Sequence, residues 1–219
     1  MESVTNHLSE RVRIGFIRAF GLRMGEPAPF SGPVLGELLE KRKKQLPGDE
    51  DAFRKACRDM MRIGTYKPTG RGKPASEYLM RAASEGSFPR INTAADINNY
   101  LSLKYLVPIS LWDTDKQPAQ SWLFRAGNAG EAFVFNPSGQ TISLEDLVTG
   151  YAVDEGQETP IVTPVKDCQQ TKTDVETRNV ALAIYYPAAW TGAPKLDDIL
   201  AEGSELLQKV SDRTESGTY

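Results

Sequence analysis

The stretch Thr93-Ala94-Ala95-Asp96-Ile97-Asn98-Asn99-Tyr100-Leu101-Ser102-Leu103-Lys104-Tyr105-Leu106-Val107-Pro108-Ile109-Ser110-Leu111-Trp112 is where the hydrophobic period of the chain changes. Up to about Tyr105 the pattern is helical, opened by Thr93 with Asp96 three residues on in a capping arrangement. Pro108 stops it, because proline lacks the N–H and disfavours the α conformation in the residue before it. From Ile109 the apolar residues come in short runs of strand composition. Upstream the chain reads as helices, downstream as strands. That order predicts an α+β fold: helices of the first half packed on a mainly antiparallel sheet from the second half.

Working outward, residues 11–20 alternate Val12, Ile14 and Phe16 with Arg11, Arg13 and Gly15, a half-buried strand expected to join the later sheet. A first helix opens at Pro33, carries the stripe Leu35, Leu38, Leu39 and Leu46, and ends at Pro47-Gly48. Asp49 caps a second, with Phe53, Ala56, Cys57, Met60 and Met61 as its core face. Pro74 opens a third, with Tyr78 and Leu79 in its stripe and Gly86 past its end. Downstream, strands are expected near residues 109–112, 121–125, 132–135, 147–153, 160–165 and 179–186. The turn Asn136-Pro137-Ser138-Gly139 has type I chemistry. A closing helix runs over 195–210, and 214–219 reads as a frayed end. Residues 1–219 are read as one integrated domain.

Composition excludes whole reaction classes. The single histidine, His7, lies in a polar leading segment, so a Ser-His-Asp triad inside the fold is not expected. Two cysteines, Cys57 and Cys168, cannot build a four-thiolate metal site and suit a reducing cytoplasm. Neither a GxxxxGK[ST] loop nor a GxGxxG follows any strand, and no run is long and apolar enough for a membrane span. The expectation is a cytoplasmic protein without metal or cofactor, whose chemistry uses hydroxyls, carboxylates, amides and water.

The net charge of −3 is unevenly divided. Residues 1–90 carry 17 Lys/Arg against 11 Asp/Glu, and residues 91–219 carry 9 against 18. The basic half reads either as a solvated face of helix ion pairs or as a nucleic-acid surface. The segment Tyr66-Lys67-Pro68-Thr69-Gly70-Arg71-Gly72-Lys73 stands apart: a basic loop with one aromatic, able to reach a phosphate backbone through Lys67, Arg71 and Lys73.

Two polar stretches break local rules. Asp96, Asn99 and Ser102 share one face of the fourth helix. Asn98, Asn99 and Ser102 are poor interior helix formers, at up to ~0.7 kcal/mol each relative to alanine. The stripe either faces solvent or rims a pocket, with Arg90 bringing a cation to the same end. The run Asp167-Cys168-Gln169-Gln170-Thr171-Lys172-Thr173 offers a carboxylate, an ammonium, amides and hydroxyls that can hold a water or a ligand carbonyl.

The runs Pro89-Arg90-Ile91-Asn92-Thr93-Ala94-Ala95-Asp96-Ile97-Asn98-Asn99-Tyr100 and Val107-Pro108-Ile109-Ser110-Leu111-Trp112-Asp113 resemble the B3/B4 domain of the phenylalanyl-tRNA synthetase β chain. With Pro74-Ala75-Ser76-Glu77-Tyr78-Leu79 and Glu176-Thr177-Arg178-Asn179-Val180 they resemble its free-standing members over roughly residues 66–187. The resemblance implies an α+β fold beside a tRNA and editing, the hydrolysis of a wrongly esterified aminoacyl-tRNA. Carried over by position, it marks Asn99, Ser110 and Gln169; with Thr171 of the polar loop these are the expected catalytic residues, and Arg90, Asp96, Ser102, Asp167 and Lys172 of the two polar stretches are the expected substrate contacts. Two positions depart from the family pattern. Ser110 falls where histidine is usual, and Gln169 where a glutamate is expected to recognise a tyrosyl hydroxyl. Nothing resembles an ATP-binding ligase core. The partner expected is a tRNA or aminoacyl-tRNA, either hydrolysed in trans or bound, with a free small metabolite as the alternative ligand of a non-catalytic module.

Overall fold

The computed structural model describes residues 3–219; Met1 and Glu2 lie outside the described residues. The helices are α1 (Gly32–Arg42), α2 (Gly48–Asp59), α3 (Ala75–Ser84), α4 (Thr93–Tyr105) and α5 (Leu196–Gln208). The strands are β1 (Ser3–Asn6), β2 (Val12–Phe20), β3 (Ile109–Asp113), β4 (Ser121–Ala126), β5 (Ala132–Val134), β6 (Thr141–Ser143), β7 (Val148–Asp154), β8 (Gln157–Val162), β9 (Asn179–Pro187) and β10 (Arg213–Thr218). The α+β expectation holds, but the single expected sheet is two. One is antiparallel throughout, in the order β10-β2-β9-β3. The other is β1-β4-β7-β8, with β1 parallel to β4 and the remaining pairs antiparallel. β5 and β6 form a separate hairpin.

Side-chain direction stacks these layers. In the ladder Phe16↔Ala183↔Ser110 the three residues are directly opposite, so their side chains leave the same face. Phe16 meets Trp112, Trp122 and Phe124 at ring-centroid distances of 5.6, 6.1 and 6.3 Å, which identifies that face as the one packed on the second sheet. The opposite face carries α5 and α4. A Cβ on Gly15 would come within 2.8 Å of Leu196, and one on Gly203 within 2.7 Å of Ile17, so both glycines are needed for α5 to seat on β2. β2 is therefore buried on both faces, which corrects the half-buried reading: Ile17 and Ala19 are as enclosed as Val12, Ile14 and Phe16.

Several boundaries differ from expectation. Residues 214–219 are not frayed but form most of β10, paired to β2 from Arg213↔Phe20 to Thr218↔Gly15. α1 ends at Arg42, short of Leu46, because Arg42 turns inward to donate to Leu103 O at 3.0 Å and to Lys104 O. α2 starts after Pro47 rather than at Asp49. α4 is capped by Asn92, whose side chain accepts from Ala95 N, one residue before Thr93. Its other end is closed by Leu106 at φ 57°, a left-handed turn that carries the chain into β3.

Candidate functional site

The loop of residues 66–73 is pinned by two tyrosines. Tyr66 OH donates to Gly72 O at 2.8 Å and Tyr78 OH to Gly70 O at 3.1 Å. Burial pushes the Tyr66 hydroxyl up to about 12, so it stays a donor at neutral pH. Between this loop, α3 and the β5–β6 hairpin lies a cleft of about 800 Å³, lined among others by Tyr66, Arg71, Tyr78, Phe135, Gln140 and Lys166. Lys166 Nζ sits 5.4 Å from the Tyr78 ring and 5.2 Å from the Phe135 ring. Burial, reinforced by nearby Lys172, holds its ammonium below the usual lysine range. Lys172 donates to Phe135 O at 2.6 Å, tying the 167–173 loop to the same hairpin.

One residue beyond Lys166, Asp167 turns its carboxyl toward the edge of β3. It accepts from Leu111 N at 3.3 Å and lies near the Ser110 hydroxyl. Burial of that carboxyl, opposed by the nearby Ser110 hydroxyl, by Leu111 N and by Lys172 and Lys166, pushes it up to about 7. Ser110 is 1% exposed; its Oγ donates to Thr163 O at 2.9 Å and lies 3.1 Å from Tyr185 OH. Burial, then the neighbouring Asp167, raises the Tyr185 hydroxyl well above its ordinary value. Asp167 thus lies beside the enclosed, hydrogen-bonded Ser110–Tyr185 pair. Of the three groups, Asp167 is the one that burial pushes into the range a general base uses.

The other expected site residues are distributed as follows. Asp96 and Ser102 do not face solvent. Asp96 accepts from Arg90 Nε at 2.6 Å and Ile91 N at 2.8 Å, and Ser102 donates to Val107 O at 2.7 Å. Both are needed because α4 is buried on almost every side. Asn99 is the half-buried exception, its Oδ1 accepting weakly from Asn98 Nδ2 at 3.4 Å. Gln169 and Thr171 share the 3₁₀ turn Gln169–Thr171, where Thr171 donates to Cys168 O at 3.3 Å. α4 and this loop meet where Asn92 Nδ2 donates to Thr173 Oγ1 at 3.1 Å. Ser110, however, points away from α4, because the Phe16 row faces the second sheet. The chain therefore joins Ser110 to Asp167, and α4 to Thr173, but does not bring Asn99 and Ser110 onto one face. Arg71 lines the cleft, Lys67 is exposed and Lys73 is half-buried beside it.

Sequence reasoning passed over several residues. Tyr78 reads as helix core by spacing but is 36% exposed into the cleft. Phe135 and Gln140 reach it only because the Asn136–Gly139 turn folds β5 against β6. Tyr185 carried no polar pattern at all. Asn98 Oδ1 and Gln169 Oε1 are buried acceptors with no donor among the described residues, the kind of orphan that a water or ligand normally satisfies. Among the described residues no group of three His, Cys, Asp or Glu side chains is arranged to hold a metal ion. Nor is any helix long and apolar enough to cross a membrane.

A layered α+β fold with a cationic, aromatic-walled cleft beside an enclosed carboxyl is the class these features define. The chain belongs to the B3/4 domain family, whose sequence model matches residues 57–193. Among curated proteins there is no match.

Proposed function

We propose that this B3/4 protein binds the aminoacylated end of a tRNA and hydrolyses a misplaced aminoacyl ester in trans. The observation that carries the reading is the 800 Å³ cleft, where Arg71 and Lys166 stand among the rings of Tyr66, Tyr78 and Phe135. Aromatic faces stack on bases and cations meet phosphates, whatever the sequence of the strand. Ser110 is not a base, and the orphan acceptors on Asn98 and Gln169 suit the orientation of a water or an amino-acid donor. Asp167 supplies the missing base: its carboxylate takes a proton from water as the hydroxide attacks the ester carbonyl. The ribose oxygen leaves with that proton. Gln169 and Thr171, on the turn that follows Asp167, then belong to the amino-acid side of the pocket.

The test is release of amino acid from a panel of misacylated tRNAs. Loss of a general base lowers such a rate about 10²- to 10⁴-fold, the fall expected for Asp167→Asn. Gln169→Ala should also slow release. Rates that neither substitution lowers on any member of the panel overturn the hydrolase.

A second reading, a module that binds RNA without chemistry, is favoured by the full enclosure of Ser110. Filter binding with steep salt dependence but no amino-acid release selects it.

A further inference from the structure

α3 separates the aromatic cleft from a second one of about 640 Å³, built by the α1–α2 connection, α2 and α3. Six of its lining side chains are cations, Arg42, Lys44, Arg54, Arg58, Lys73 and Arg81, against two carboxylates, Asp51 and Glu77. The ion pairs leave this balance unmet. Glu77 takes Arg58, with Nε donating to Oε1 at 2.7 Å, and also Arg54 at 3.3 Å. Asp51 takes Arg54 at 2.6 Å and Lys55 at 2.7 Å. Three cations thus share two carboxylates. Arg42 and Arg81 are satisfied by Glu50 and Glu85.

Lys44 and Lys73 have no carboxylate partner among the described residues. They share this with Lys67 and Arg71 of the 66–73 loop, whereas Lys41, Lys43 and Arg62 nearby each meet one. Lys73 is moreover half-buried, a partly desolvated cation that gains most from an incoming anion. It ends the 66–73 loop, whose Arg71 lines the aromatic cleft, so one loop supplies cations to both sites. Residues 42–54 lie before the family-matched segment of 57–193, so half of the residues lining this cleft fall outside that segment.

We propose that the cleft between α2 and α3 holds phosphates of an RNA strand whose end enters the aromatic cleft. This rests on the tRNA reading above and adds to it the path of the backbone. Lys44 and Lys73 make the phosphate contacts, while Arg54 and Arg58, oriented by Asp51 and Glu77, shape the wall. A single-stranded contact changes the salt slope of log K by about 0.7 and a duplex contact by about 0.9.

The experiment is filter binding of bulk deacylated tRNA between about 50 and 200 mM salt, the range over which backbone contacts dominate. The proteins compared are the wild type, Lys44→Ala/Lys73→Ala and the control Lys209→Ala on α5. Lacking partners, Lys44 and Lys73 can be removed without loss of fold, checked by an unchanged melting temperature. The double variant should bind about tenfold more weakly at low salt with a slope shallower by about 1.5, from two contacts. The control should match the wild type. A double variant with wild-type slope and affinity overturns the inference while the tRNA reading stands. A wild type that retains no tRNA at low salt overturns both. Weaker capture of inorganic polyphosphate with unchanged tRNA binding makes the cleft a free-polyanion site and overturns the RNA path.

Discussion

Between the ordinary aspartate value of 3.8 and about 7, the folded chain holds a proton on Asp167 that the unfolded chain releases. A native state that binds more protons loses stability as pH rises through that window. Burial is the principal cause, and the nearby Ser110 hydroxyl and Leu111 N limit it. Asp167→Asn removes the titration while preserving an acceptor for Leu111 N. The variant should therefore match the wild type near pH 4 and exceed it at pH 8, by at most roughly 4 kcal/mol at 1.36 kcal/mol per pKa unit. Urea midpoints at the two pH values measure this, and a difference of the same size at both would assign the effect to packing. Glu131 acts in the opposite direction. Held down to about 2 by Arg125, and by Asn128 N and Tyr151 OH, it contributes stability that is lost as pH falls from 4.5 toward 2. At pH 4 that loss has begun, but wild type and variant share it, so it cancels in the difference between them. The same Asp167 proton governs the proposed chemistry, whose rate should rise as pH passes through 7.

At the scale of elements, the junction of α4 with the 167–173 loop rests on one side chain. Asn92 accepts from Ala95 N at 2.9 Å as helix cap and donates to Thr173 at 3.1 Å. Asn92→Ala removes both. A lost cap costs about 1 kcal/mol and a lost neutral hydrogen bond about as much again. A fall of about 1–2 kcal/mol in unfolding free energy is expected, with faster amide exchange in residues 167–173 than in α5. Exchange that quickens only in α4 would show that the loop does not depend on the cap. Elements were legible where one pattern dominated: α3, α4, β3, β4 and β9 fall close to the periodic runs. β1 and β6 are too short for alternation to register. β10, with Arg213, Thr214, Glu215 and Ser216, looks like a tail because its stability comes from the β2 ladder rather than from its own apolar residues. Thr93 hid the true cap because its hydroxyl is committed elsewhere, donating to Met24 O at 2.9 Å.

Across the whole molecule, site residues that are near one another in space come from distant parts of the chain. Ser110 and Asp167 could be named from the sequence. Their link to Tyr185, and the separation of Ser110 from Asn99, follow from strand register and from which layer each face meets, information no single segment carries. The same layering makes Phe16 the joint between the two sheets. It sits in the inner sheet, is fully buried, and meets Trp112, Trp122, Phe124 and Tyr219. Replacing a buried phenylalanine by alanine costs about 3–5 kcal/mol. If one core spans both sheets, Phe16→Ala should lower a single cooperative transition, with the near-ultraviolet signal of the tryptophans and the far-ultraviolet signal of the backbone melting together. Two separate transitions in the variant, one at the wild-type midpoint, would mean that the sheets fold as independent units and that 1–219 is not one domain. The coincident melt is the outcome the geometry favours, because Trp112 on β3 and Trp122 on β4 pack on each other at 5.2 Å as well as on Phe16. Neither sheet can then lose its shared aromatic layer without exposing the other's.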